Sequence, residues 1–385
     1  MSRNTHKKQQ GLVSMIIVIF SAILLTVITI SFVTLMTKDQ QQATNNDLSQ
    51  SAKDSALAGV EDAKRLLVLN QKCRLNGDID PNCGATLAAI NADRCNTIAV
   101  SGIIGAGAND TETKLQDGNM VNNLDQAYTC VKINTETADY LGELQKDTPS
   151  VITLRGDNAF NKVRVSWFTK QDLDDPAATT AVLRNEAKVL PPVGETSWSA
   201  ATPPLMRAQT IQFGDSFSLA DLDKDNGGSA NNTFFLSPTD VGGNNVDAGR
   251  DIRQTPAKNP FAIQCTDSFS TAGGYSCQAI ITLKNTVDRG KDAFLNLTGL
   301  YNSAHYKVEL LNGSGGVVNF DNVQPEIDST GRANDLFRRV VSRVELDGGF
   351  NFPNAAVTTE GGLCKNFFVT DRALDYQDNS PDCAE

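Results

Sequence analysis

The chain has 385 residues, 40% hydrophobic and 21% charged. That is enough apolar material for the cores of two or three domains and too apolar for a disordered tail. Residues 1–36 hold three basic side chains (Arg3, Lys7, Lys8) and no acidic one, so the net charge of −11 leaves 31 basic against 45 acidic residues after Met36. This sign argues against nucleic acid as the main partner, because phosphate binding needs a cationic face. The two histidines, His6 and His305, build no HExxH run or His-bearing metal cluster, and most hydrolase chemistries lose their usual base.

Leu12–Met36 reads LVSMIIVIFSAILLTVITISFVTLM, 25 residues without a charge, glycine or proline. As a helix it spans about 37 Å and can cross a bilayer. The basic leader before it and the polar TKDQQQATNND after it place Met1 in the cytoplasm and the rest of the chain outside. A cleaved secretory signal fits poorly, since its apolar region is shorter and ends in an A-x-A-like site that Thr34-Leu35-Met36-Thr37 does not offer. A retained helix is the expectation.

Gly11 marks the junction of leader and apolar helix, where a membrane peptidase on the cytoplasmic side would leave a chain starting at Leu12. Beyond the membrane the helical period continues: Leu48, Ala52, Ala56, Gly59, Ala63 and Leu66 recur at steps of three and four, and Glu61 stands four before Arg65. One helix from about residue 12 to residue 70 is expected. Its outer stripe of small residues (Ala52, Ala56, Gly59, Ala63) permits close approach to a neighbour, either the chain's own sheet or another subunit.

The leader ending in Gly11, the uninterrupted apolar helix and the run Ala56-Leu57-Ala58-Gly59-Val60-Glu61-Asp62-Ala63 resemble the start of type IV pilin-like proteins, in particular the large minor-pilin and pseudopilin groups. A weaker echo lies at Gly331–Val340. The resemblance implies a prepilin peptidase cutting after Gly11, other pilin-like subunits as partners, an assembly ATPase and a polytopic platform protein. The family usually has Glu at the fifth residue after the cleaved glycine, where this chain has Ile16, and Leu12 replaces the common phenylalanine. A carboxylate in lipid is costly unless it meets a cation, which in filaments is the free amine of the subunit above. Ile16 therefore fits a tip subunit with nothing above it, a lineage that aligns helices by packing alone, or a membrane protein that never assembles.

Downstream, short runs alternate with Gly, Asn, Asp and Pro, and strands are expected at 151–154, 162–169, 209–213, 233–236, 262–265, 276–283, 293–300, 306–311 and 337–346. Residues 291–346 read as a meander with a turn at Gly313-Ser314-Gly315-Gly316. The fold class is α+β: a long N-terminal membrane-spanning helix followed by an antiparallel, β-rich, disulfide-stapled extracellular domain. The expected organisation is a leader (1–11), the membrane half (12–36) and extracellular half (37–70) of the helix, an irregular cysteine-containing insertion (71–148), a β-rich domain (149–346) and a C-terminal loop (347–385). The Pro-rich stretch at 191–204 offers a further boundary, unless one sheet runs across it.

All eight cysteines fall on the exported, oxidising side. Their clustering favours Cys265–Cys277 and Cys364–Cys383, then Cys73–Cys83 and Cys95–Cys130; none forms C-x-x-C, which leaves little support for zinc. Cys364–Cys383 would close a loop similar to the disulfide-bound surface loop of many pilins, serving either as a contact surface or as a plain staple. Asp221, Asp223 and Asp225 alternate beside Gly227 and make the best candidate for calcium, but EF-hand spacing wants Gly and Glu where Asn226 and Asn232 stand, so a solvated acidic turn competes. No cofactor is required. His305, at a turn before a strand, reads as a surface or packing residue, and no nucleophile elbow, Walker loop or dinucleotide fingerprint occurs.

The expectation is a non-enzymatic pilin-like subunit, held in the cytoplasmic membrane and drawn by its helix into an extracellular filament or its tip. The alternatives are a single-pass extracellular adhesin that does not assemble and a membrane-tethered hydrolase using Asp221, Asp223 or Asp225.

Overall fold

The computed structural model describes residues 10–77, 81–91, 95, 98, 112–116, 125–185, 198–212, 232–248, 260–269 and 272–346. In chain order these form α1 (Gln10–Asn76), α2 (Cys83–Asn91), β1 (Thr113–Gln116), β2 (Gln126–Thr137), β3 (Tyr140–Leu144), β4 (Pro149–Leu154), β5 (Phe160–Thr169), β6 (Leu205–Gln212), β7 (Asn232–Thr239), β8 (Asn245–Asp247), β9 (Phe261–Gln264), β10 (Tyr275–Val287), β11 (Ala293–Leu300), β12 (Ala304–Leu311), β13 (Val317–Val318), β14 (Phe320–Ala333) and β15 (Leu336–Arg343).

Helix α1 is one uninterrupted rod of 67 residues. Between Ser14 and Asp47 every residue is exposed, and the apolar segment is long enough to cross a membrane. The Gln-rich stretch that follows lacks Gly and Pro, so nothing breaks the backbone ladder before Ala- and Leu-rich sequence resumes it. The rod runs past the expected end at residue 70 and stops at Gly77, whose φ of 71° is the left-handed conformation that closes a helix.

The outer half of α1 lies on a four-stranded sheet ordered β1-β2-β14-β15, antiparallel throughout. Val60, Ala63, Leu66 and Leu67 of the helix, Ile90 of α2 and Tyr128, Val131 and Ile327 of the sheet share one core. Cys73–Cys83 ties α2 to the helix, and Cys95–Cys130 ties the chain after α2 to β2.

Between β2 and β14 the chain builds a second unit. One sheet runs β13-β12-β5-β10-β8 with β3 also on β12, and the other runs β4-β11-β6-β7-β9. Side chains of both, among them Val165, Trp167, Ile281 and Val308 from the first and Ile152, Leu295, Met206 and Phe234 from the second, make a common core, the arrangement of a β-sandwich. Cys265, just past β9, bonds to Cys277 in β10 and so joins the two sheets.

Three expectations are corrected. Residues 71–148 are not irregular throughout: among the described residues they hold α2 and β1–β3, and β2 alone is 12 residues long. Its outward half is Lys, Asn, Thr and Glu, which hides the strand from a search for apolar alternation. The 291–346 segment is not a meander, because β11 and β12 belong to different sheets; the chain crosses between them at Tyr301, whose φ is 76°. The 149–346 region is likewise shared between two units, since β14 and β15 pair in the sheet that carries the helix. The stretch at 191–204 does not separate two sheets, for β4 before it and β6 after it both flank β11.

Candidate functional site

The small-residue stripe meets the chain's own sheet. Ala52, Ala56 and Ala63 are fully buried. A Cβ on Gly331 of β14 would sit 2.2 Å from the Ala56 backbone nitrogen and 2.3 Å from the Ala52 carbonyl oxygen, so helix and strand touch backbone to backbone. Gly59 repeats the device one turn on, where a Cβ would come within 2.5 Å of Ser329 Oγ. That hydroxyl is buried and donates to the Ala56 carbonyl oxygen at 2.7 Å, and Tyr128 Oη donates to Asp62 at 2.9 Å. Short side chains on the helix and on β14 make this approach possible, and the two hydrogen bonds fix its register.

The same contacts orient the molecule. Arg338, at the start of β15, donates to Ser49 Oγ on the part of the outer helix nearest the apolar segment, whereas Asp321, at the start of β14, pairs with Arg74 near the helix end. Strands β2 and β14 therefore carry the sandwich at the end of the sheet farthest from the apolar segment. With Met36 as the end of that segment and Asn76 as the end of α1, the sandwich begins about 60 Å beyond it along the rod.

Of the residues expected to matter, Gly11 and Leu12 lie in the first turn of α1, and Ile16 is exposed. Glu61 points outward and pairs with Lys64 at 2.6 Å, not with Arg65, which reaches Asp62 at 3.3 Å; both are steps of three, where Glu61–Arg65 would have been a step of four. The face of α1 away from the sheet keeps Leu57, Val68 and Leu75 exposed. Ser329, which no sequence pattern singled out, sits among the polar residues of β14; its only signal is proximity to Gly331.

Asp221, Asp223, Asp225, Cys364 and Cys383 lie outside the described residues. Among the described residues no group of three His, Cys, Asp or Glu side chains could hold a metal ion. His305 has a structural tie: its Nδ1 is 2.6 Å from Asp172 Oδ1, the same oxygen accepts its backbone N–H at 3.0 Å, and Thr169 N–H donates to Oδ2 at 2.6 Å. At the end of the sheet nearest the apolar segment, Arg332 grips Glu112 with two hydrogen bonds, at 2.8 and 2.9 Å, and reaches Asp125 at 2.9 Å, anchoring the short β1 end to β14.

Two buried tyrosines make both units sensitive to alkali. Burial is the main cause raising the Tyr128 phenol to about 12, with Asp62 adding to it, and burial likewise raises Tyr306 to about 12. A folded pKa above the unfolded value near 10 contributes stability that is complete below pH 10 and lost as pH rises through 12. Each ring should account for roughly 3 kcal/mol of that loss. Absorbance at 295 nm is expected to show these phenols ionising only with cooperative unfolding; smooth titration near pH 10 with the fold intact would contradict it.

Comparison of the chain with protein-family models, curated proteins and solved structures finds no match.

Proposed function

We propose that this protein is a non-catalytic, pilin-like subunit, inserted with its N-terminus in the cytoplasm, trimmed after Gly11 and carried at the tip of an extracellular filament. The observation that carries the reading is the division of α1. One half is an uncovered apolar rod, and the other is buried on a four-stranded antiparallel sheet by a stripe of small residues. Such a rod can exchange lipid for the helices of neighbouring subunits as it leaves the bilayer.

Two independent features support the tip. Ile16 offers no carboxylate to a subunit above, and the sandwich is mounted on the end of the sheet farthest from the apolar segment, where a bulky unit would obstruct a subunit stacked above it. In this reading the helix, α2 and β1, β2, β14 and β15 serve assembly, while the sandwich presents a surface for adhesion, uptake or secretion. Its partners are then other pilin-like subunits, a prepilin peptidase, an assembly ATPase and a platform protein.

Expression with its own secretion genes tests the proposal. Mass spectrometry of sheared fibres should find the chain beginning at Leu12, immunogold should mark fibre ends, and Gly11→Val should leave the whole population unprocessed in the membrane. Intact Met1 on every copy, with none in the fibres, would overturn the proposal and favour the non-assembling adhesin.

A further inference from the structure

A unit inserted through two adjacent strands would ordinarily swivel on them, because interfaces between units of one chain are often small and polar. The chain leaves the helix-bearing sheet at Thr137 and returns at Phe320, which are register partners on β2 and β14. The register then breaks: between Asp321 and Glu326 of β14 the pairing with β2 slips, and Asn322 takes a φ of 54°. A bulge of this kind re-aims side chains. Here it sends Gln324, which is buried, onto the first strand of the sandwich, where its Nε2 donates to the Leu141 carbonyl oxygen at 2.7 Å and its Oε1 accepts the Leu141 N–H at 2.9 Å. One side chain thus completes a two-bond ladder step across the boundary.

Other contacts surround that step. Tyr140 Oη donates to Glu345 at 2.7 Å, and the Tyr140 ring lies 6.3 Å from that of Phe320. Arg343 pairs with Asp139 at 3.2 Å, and the Asp321 N–H donates to the Arg155 carbonyl oxygen at 3.0 Å. Pro325, which has no N–H to leave unpaired, occupies the bulge, and its carbonyl oxygen accepts the Val344 N–H at 3.0 Å.

We infer that these contacts form a clamp, centred on Gln324 and Tyr140, that fixes the sandwich and the helix-bearing sheet as one rigid lever, so that whatever the sandwich binds is held at an angle set by α1. The clamp stands on this geometry alone; its use in passing tension from a bound surface into a fibre rests on the reading above.

The test uses the full chain in lipid nanodiscs, with spin labels on noncanonical residues at Leu75 of α1 and Val241 of the sandwich, both exposed. Pulsed dipolar spectroscopy should give one narrow distance distribution, which Gln324→Ala broadens roughly twofold, while a pair within the sandwich, Val182 and Val317, stays narrow. Should Gln324→Ala broaden the second pair as well, Tyr140→Phe decides, since it deletes only the hydroxyl that holds Glu345 and is expected to broaden the first pair alone. A broad distribution in the parent protein, or an unchanged one in the deciding variant, overturns the clamp. Neither outcome depends on whether the protein enters a filament.

Discussion

Replacing Gly331 with valine will detach α1 from its sheet. The atoms a new side chain meets are the Ala56 nitrogen at 2.2 Å and the Ala52 oxygen at 2.3 Å, both backbone, so no trimming of a neighbouring side chain relieves the overlap. The helix must rise or the strand must bow. Either movement breaks the Ser329–Ala56 hydrogen bond and loosens the packing of Val60, Ala63 and Leu66. Overpacking commonly costs 1–3 kcal/mol, and with a rigid rod as the obstacle the expected loss is about 3 kcal/mol or more. Unfolding of the full chain in detergent, followed by circular dichroism, should lose several degrees from the transition that melts helix and sheet together. Thr330→Ala, one residue earlier and on the opposite face of β14, should change stability by only about 0.5 kcal/mol. Equal effects from the two substitutions would mean that the close approach does not hold the units together.

This contact also explains what could and could not be read from the sequence. The rod was legible because 25 apolar residues and a step of three or four leave little choice of structure. Strands β4, β5 and β10–β12 were legible because the sandwich buries branched and aromatic side chains on alternate positions, Val163, Val165 and Trp167 among them. Strand β14 was not. Past Ile327 its inward positions are Ser329, Gly331 and Ala333, small or polar because the helix comes so near, and an alternation of sizes leaves no alternation of hydrophobicity. The feature that makes the candidate assembly unit work is the one that conceals its central strand.

The insertion was hidden for a different reason. Local pattern says where a strand runs but not which strand it joins, and β2 pairs with β14 across a gap of some 180 residues. The short link from β11 to β12 invited a hairpin, whereas those strands lie in separate sheets. Near-neighbour cysteines were easier to pair, because short sequence separations keep them close in any compact fold: 10 residues for Cys73–Cys83 and 12 for Cys265–Cys277.

The register match of Thr137 with Phe320 leads to the second large effect. Removing residues 138–319 and joining Thr137 to Phe320 through Asn-Gly should leave a folded helix-bearing unit, because that dipeptide suits a tight hairpin between adjacent antiparallel strands. The core of Val60, Leu66, Tyr128, Val131 and Ile327 contains no residue from the excised stretch, and the disulfides at Cys73–Cys83 and Cys95–Cys130 lie wholly outside it. Two side chains will suffer, since Phe320 and Val323 are buried in the sandwich core and would face water. Each exposed apolar side chain forfeits about 2 kcal/mol and invites aggregation, so the shortened chain should carry threonine at both positions. Circular dichroism should then show the helix retained and cooperative melting, with a proportionally smaller sheet signal. Near-ultraviolet spectra should lose the fixed aromatic signal of Trp167, since that residue leaves with the sandwich. If the sandwich also blocks a subunit above, the shortened chain should appear along the shafts of fibres as well as at their ends. A molten or insoluble product would show instead that the helix and its sheet depend on the sandwich to fold, and that division of labour between assembly and presentation would have to be abandoned.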